Sequence, residues 1–344
     1  MTEQSKGLLG STATVPADNK YLHNQRIGLL NITDPRRLDL RFTYHLLNAP
    51  SVRQQIQATA TGSKVRHTAP DRLESIIAPI PNIECQRRIG RALDNCDDLI
   101  ENNRRRIEIL EEMARLLYRE WFVYFRFPGH EDVELVDSDL GPIPEGWEAD
   151  GFSRLVSEIS ETIAPEDIAD GIPVVGLEHL PRRSTTLCEW ERAGNVGSRR
   201  KLFIEGDILF GKIRPYFHKV VNAPVSGCSS TDAIVFRPRE ELFQCRALAI
   251  ASSDEFVGVA TATSNGTKMP RANAKILLSH GIPHPTGDIE QAFSEAVGPM
   301  NALRRVLAAQ NRALREARDL LLPRLVSGEL DVSELDLGLE AVGA

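Results

Sequence analysis

The residues with the most chemical promise lie in one stretch, "GDILFGKIRPYFHKV", residues 206–220. A glycine and lysine after an apolar strand outline a phosphate loop, whose bare backbone amides cradle a nucleotide. That outline is incomplete. Ile213 stands where the magnesium-binding hydroxyl belongs, and Pro215 ends any following helix. The same residues suit the backbone of a nucleic acid better. Lys212, Arg214 and Lys219 offer cations to phosphates, while Tyr216 and His218 offer hydrogen bonds to phosphates or base edges. On a strand they would alternate with Phe210, Ile213, Pro215 and Phe217, which belong in a core.

Further candidates are loop residues. Thr231, with Asp232, precedes an apolar strand and either caps a turn or reads a base. Two glycine loops carry Lys64 and Arg66 in one case and Lys268 in the other, suiting either close approach to phosphate or a plain solvated turn. Catalytic groupings are missing. His218 and His280 have no HxxxH or HExxH partner, so no metal is assigned. No G-x-G-x-x-G opens a helix, and no Asn/Asp-Pro-Pro-aromatic tetrapeptide is present to hold a flipped base. Asp71 and Glu74 lack the following x-Lys of a nuclease carboxylate cluster. No catalytic residue is assigned, and the chain is not expected to be an enzyme.

Bulk properties frame these residues. With 344 residues, 42% hydrophobic and 26% charged, the chain suits two folded domains with a connector. No apolar run reaches membrane length, and the N-terminus lacks a signal-peptide pattern. Cys85, Cys96, Cys188, Cys228 and Cys245 never form CxxC, which points to reduced thiols and a cytoplasmic location. A net charge of −7 gives no global support to nucleic-acid binding. Locally, nine basic residues face three acids between positions 192 and 239, while the tail beyond Ser327 carries five acids and no base.

The chain also repeats itself. Adding 204 carries Gly62 and Lys64 onto Gly266 and Lys268, Leu73 onto Leu277, and Pro79 and Pro81 onto Pro283 and Pro285. A long helical pattern follows each copy. One seam runs Ile89, Leu93, Cys96, Ile100, Asn103, Ile107, Leu110, Ala114, Leu117, Trp121. The other runs Ile289, Phe293, Ala296, Met300, Leu303, Leu307, Gln310, Leu314, Ala317, Leu321. A sustained 4-3 spacing is a coiled-coil seam, and Asn103 and Gln310, its two amides, are expected to meet and fix register. The second helix is expected to break at Pro323. In the first copy "NQRIGLLN" takes the place of the strand "TDAIVFRP", and upstream strands worth about 60 residues have no counterpart, as if the first unit were truncated.

Taken in order, "WFVYFRFPGHEDVELVDSDLGPIPEGWE", "GDILFGKIRPYFHKV", "CSSTDAIVFRP", "SNGTK", "IPHP" with "DIEQ", and "RDLLLPRLVSGEL" resemble the specificity subunit of type I restriction–modification systems. The resemblance implies an α+β fold with two pseudo-repeated target-recognition domains, the first truncated here, separated by two long antiparallel coiled-coil helices. The expected layout is a first recognition domain over 1–82, a spacer helix over 83–127, a linker over 128–146, a second recognition domain over 147–286, a spacer helix over 287–328 and an acidic tail over 329–344. It also implies double-stranded DNA, methyltransferase subunits and a restriction subunit as partners. S-adenosylmethionine and ATP with magnesium would be used by those partners, and this chain would hold no cofactor. A second copy of the chain is a further expected partner if two shortened chains read a symmetric target. The alternative expectation is a non-catalytic scaffold of the same system, its DNA reading lost or halved.

Overall fold

The computed structural model describes residues 9–15, 20–22, 24, 26–62, 66–194, 196–266, 268–327 and 329–330. The helices are α1 (Leu40–Asn48), α2 (Pro50–Ala58), α3 (Pro70–Glu74), α4 (Ile83–Tyr118), α5 (Gln244–Ala251), α6 (Asp254–Ala262), α7 (Ala274–Leu278) and α8 (Gly287–Val326). The chain forms two units, Met1–Glu101 with Ala313–Ala344, and Asn102–Arg312. Both long helices, α4 and α8, contribute to each unit.

Among its described residues the first unit's regular elements are all helices, joined by coil and turns, apart from an isolated bridge between Thr61 and His67. Asp39 caps α1 by accepting from the Phe42 amide, and Pro50 starts α2 at a position where no amide is needed. Phe42, Leu46, Val52 and Ile56 then pack on Ile89 and Leu93 of α4 and on Leu322, Leu325 and Val326 of α8. The expected strand "NQRIGLLN" is not formed. Residues 26–33 have no ladder partner, and Ile27, Leu29 and Leu30 are 60%, 65% and 50% exposed. An apolar run becomes a strand only where a neighbour satisfies its backbone, and the described part of this unit supplies none.

The second unit is α+β. Its strands are β1 (Leu135–Ser138), β2 (Gly141–Pro144), β3 (Glu148–Gly151), β4 (Val156–Ile159), β5 (Thr162–Ile163), β6 (Pro173–Val175), β7 (Glu191–Arg192), β8 (Arg200–Phe203), β9 (Ile208–Gly211), β10 (Val220–Asn222), β11 (Gly227–Ser229), β12 (Ala233–Pro238) and β13 (Gly281–His284). One sheet runs β10-β9-β12-β4 and is antiparallel. A second runs β5-β8-β11-β6-β7, with β11 and β6 parallel, and two further two-stranded sheets pair β1 with β2 and β3 with β13. Strand alternation builds two cores. Ile208, Phe210, Val220, Ile234 and Phe236 face α5, α6 and Phe152, while Leu209, Val221 and Val235 face Leu180, Leu187 and Phe203.

Three expectations about connectors and ends are corrected. Residues 128–146 are folded rather than a plain linker. A short 3₁₀ turn leads into the β1–β2 hairpin, and Phe127, Ile143 and Trp147 are buried with Phe122 and Phe293. The first long helix leaves α geometry at Tyr118 and widens into a π turn, Arg119–Val123, before Phe125 turns left-handed at φ 56°. The widened turn seats Phe122 edge-on against Phe293, with centroids 4.8 Å apart. Finally, α8 does not break at Pro323 but runs to Val326. The proline forfeits its own amide bond, yet burial of Leu325 and Val326 against the first unit's core holds one more turn.

The two seams differ in outcome. Every residue on the first is buried or half-buried. On the second, Ile289, Phe293 and Leu307 are buried, but Leu303, Gln310, Ala317 and Leu321 are exposed, and off the seam Val297, Arg304, Ala308 and Asn311 are buried. An α-helix has 3.6 residues per turn, so a strict seven-residue stripe drifts off the buried face. Asn103 does reach Gln310, at 3.4 Å, but its closer partner is Asn311, at 3.0 Å and buried.

Candidate nucleic-acid interface

Residues 206–220 form a strand, a turn and a strand, not one continuous strand. After β9, Arg214 and His218 take left-handed backbone angles on either side of a 3₁₀ turn, Pro215–Phe217, before β10 begins. Face alternation therefore ends at Gly211. The turn leaves Tyr216 52% exposed, stacked edge-on against Phe217. It buries His218, whose Nε2 lies 2.8 Å from the Ser252 carbonyl oxygen. His218 thus braces the end of α5 from within and is withdrawn from any phosphate, correcting its place among the surface candidates. Lys219 is half-buried and donates to the Leu177 carbonyl, and burial pushes its ammonium below the usual lysine range, with Arg182 adding to the effect.

The other candidates converge. The second glycine loop is closed by paired backbone bonds between Asn265 and Arg271, at 3.0 and 2.9 Å. Gly266 sits at φ +104°, and a Cβ there would come 3.2 Å from the Met269 carbonyl oxygen, so the turn needs glycine. The loop is tied to the Lys212 segment: the Arg214 amide donates to Pro270, and the Ala272 amide to Lys212. The Lys212 amide in turn donates to Asp232, which lies 3.8 Å from Arg271 Nε. Lys212, Arg214, Tyr216, Thr231 and Lys268 are therefore gathered in one loop cluster. Thr231 and Lys268 are exposed there, and Ser230 rather than Thr231 supplies the turn-closing hydroxyl.

Sequence reasoning missed several members. Arg271 joins the cluster from beside the glycine loop, and Arg182 stacks 4.1 Å over the Phe217 ring. Behind the loops, Glu111 of α4 accepts from the Ser184 hydroxyl at 2.9 Å, the Thr185 amide at 2.9 Å, the Thr186 hydroxyl at 2.6 Å and Arg304 of α8 at 3.2 Å. One carboxylate thus pins residues 184–186 to both long helices. The basic block is also less free than its composition suggests. Arg237 forms a two-pronged pair with buried Asp207, and Lys201 lies 3.6 Å from Glu158.

In the first unit, the Thr61–His67 bridge closes the matching loop, with Gly62 at φ +103°. Arg66 folds back to donate to the Gln57 carbonyl, so it closes the loop rather than standing free. Lys64 lies outside the described residues. Among the described residues no cluster of His, Cys, Asp or Glu is arranged to hold a metal, and no helix is long and apolar enough to cross a membrane.

The chain is similar to known proteins along most of its length. A family model described as the type I restriction modification DNA specificity domain matches residues 6–112. The MjaIX specificity subunit of Methanocaldococcus jannaschii is 25% identical over 359 residues, an alignment covering 96% of this chain and 79% of the relative. The EcoDI specificity subunit of Escherichia coli is 21% identical, covering 87% and 72%. The crystal structure of a type I restriction-modification S subunit from M. genitalium shares the fold, with TM-score 0.53 at 15% identity over 86% of this chain and 75% of that one. Residues 6–112 thus match the type I restriction modification DNA specificity domain, and the chain is similar along most of its length to type I restriction enzyme specificity subunits.

Proposed function

We propose that this chain reads DNA for a type I restriction–modification complex and performs no chemistry itself. The observation that carries the reading is the tethered loop cluster of the second unit, in a chain similar to specificity subunits. Lys212, Arg214, Lys268 and Arg271 would neutralise phosphates, while Tyr216 and Thr231 would reach base edges. Helices α4 and α8 would act as the antiparallel spacer between two target-recognition repeats and as the dock for methyltransferase subunits, with a restriction subunit joining them. S-adenosylmethionine and ATP with magnesium would stay with those partners, in the cytoplasm.

The test is co-expression with a cognate methyltransferase subunit in a host free of adenine methylation, followed by methylome sequencing. A bipartite methylated motif supports the reading. Co-purification without methylation would favour the second reading, a scaffold with DNA recognition lost or halved, to which the bare apolar residues 27–30 of the first unit lend support. A palindromic motif would mean that two copies of the chain cooperate.

A further inference from the structure

Gly90 of α4 sits where the first turn of α1 rests on it. A Cβ there would come within 2.9 Å of both Arg41 Cβ and the Phe42 nitrogen. This close approach brings Arg41 beside Arg87 and Arg91, and the three arginines with Asp39 line an open cavity of about 250 Å³. The local acids are already engaged. Asp39 caps α1 through the Phe42 amide, and Asp94 takes Arg41 at 3.3 Å and His45 at 2.8 Å. Arg87 and Arg91 form no ion pair among the described residues and stand four apart on one helix, a mutually repulsive spacing. Nor is this a by-product of the repeat. Adding 204 turns Arg41, Arg87 and Arg91 into Cys245, Gln291 and Glu295, and there Gln291 donates to Glu295 at 2.8 Å.

We infer that this arginine cavity grips a backbone phosphate of DNA, giving the first unit a sequence-independent hold on the duplex. Guanidinium groups present planar, paired donors matched to phosphate oxygens. A protein partner would be expected to meet an apolar centre, and all four lining residues are charged. The inference rests on the DNA reading proposed above and adds a contact outside the second unit's loops.

The test uses the whole complex with its methyltransferase subunits and a duplex bearing the methylated motif. Arg87→Gln with Arg91→Gln is expected to lower the slope of log affinity against log salt by about one, equally for all sequences, with the methylated motif unchanged. In the unmodified complex, an arginine-specific dicarbonyl reagent should modify Arg87 and Arg91 until duplex is added. An unchanged salt slope would overturn the inference. So would protection that is complete on assembly before any DNA is present, which would make the cavity a subunit contact. If the unaltered complex binds no duplex, the DNA reading fails and takes the cavity with it; if it binds and only the variant's slope stays put, the cavity alone is wrong.

Discussion

The two copies of the helix–loop–helix module share one frame and fill its centre differently. Adding 204 to the start of α1, α2, α3 and α4 gives the starts of α5, α6, α7 and α8. In the first copy Phe42 is buried, and so is the Gln86 amide, which accepts from the Asp39 amide and donates to the Arg37 and Pro81 carbonyls. The same two places in the second copy hold Arg246 and Glu290, a buried ion pair at 2.6 Å, with Arg246 also donating to the Pro283 carbonyl. The backbone plan is thus kept by glycine loops and helix starts, and the buried polar centre is free to change from a neutral amide to a charge pair. A neutral centre is forgiving. A charged one is stable only while both partners remain.

That difference predicts unequal costs. Glu290→Ala strands a buried guanidinium and should destabilise the second unit by about 3–5 kcal/mol. Trp121, Trp147 and Trp190 all lie in that unit, so chemical denaturation followed by tryptophan fluorescence reads the loss directly. Gln86→Ala removes a neutral group and should cost the first unit about 1–3 kcal/mol, seen as faster hydrogen exchange in α1 and α2. Equal costs would mean that the Arg246–Glu290 pair is not buried as described.

Acid should separate the copies as well. Burial, with Arg246 and Arg154 nearby, pushes His284 down to about 4. Its folded value lies below its unfolded one, so its stabilising contribution is whole above about pH 6.5 and is lost as pH falls towards 4. The matching residue of the first copy is Ile80, which cannot titrate. Fluorescence-detected stability of the second unit should therefore fall across that window, and His284→Gln should flatten the fall. The smallest effect belongs to the loops. Lys268→Ala should leave stability alone and reduce the salt slope of DNA binding by about one. Arg66→Ala in the matching loop should loosen the fold instead, because Arg66 closes that loop.

The repeat was legible because it is written in backbone requirements. Gly62 and Gly266 both need positive φ, and Pro79 and Pro283 sit at matching positions just before the long helices. Four strands of the second unit, β6, β9, β10 and β12, stood out as apolar runs, while short polar ones such as β3 and β7 did not, and Asn103 was placed on the buried face of α4. Other features depend on contacts that sequence order does not reveal. Arg246 and Glu290 lie 44 residues apart, and Glu111 gathers residues more than 70 positions away. The left-handed angles at Arg214 and His218 broke a strand pattern that alternation alone could not question. The seam of α8 slipped because residues that stay on a seven-residue rule leave the buried face of a helix turning at 3.6.

The central claim is that the second unit's loop cluster reads bases. It is tested most directly by sequencing the methylome of a complex whose chain carries Tyr216→Ala and Thr231→Ala. The account predicts a bipartite motif in which one half loses discrimination at one or two positions while the other half stays intact. An unaltered motif, with both halves still strict, would contradict it.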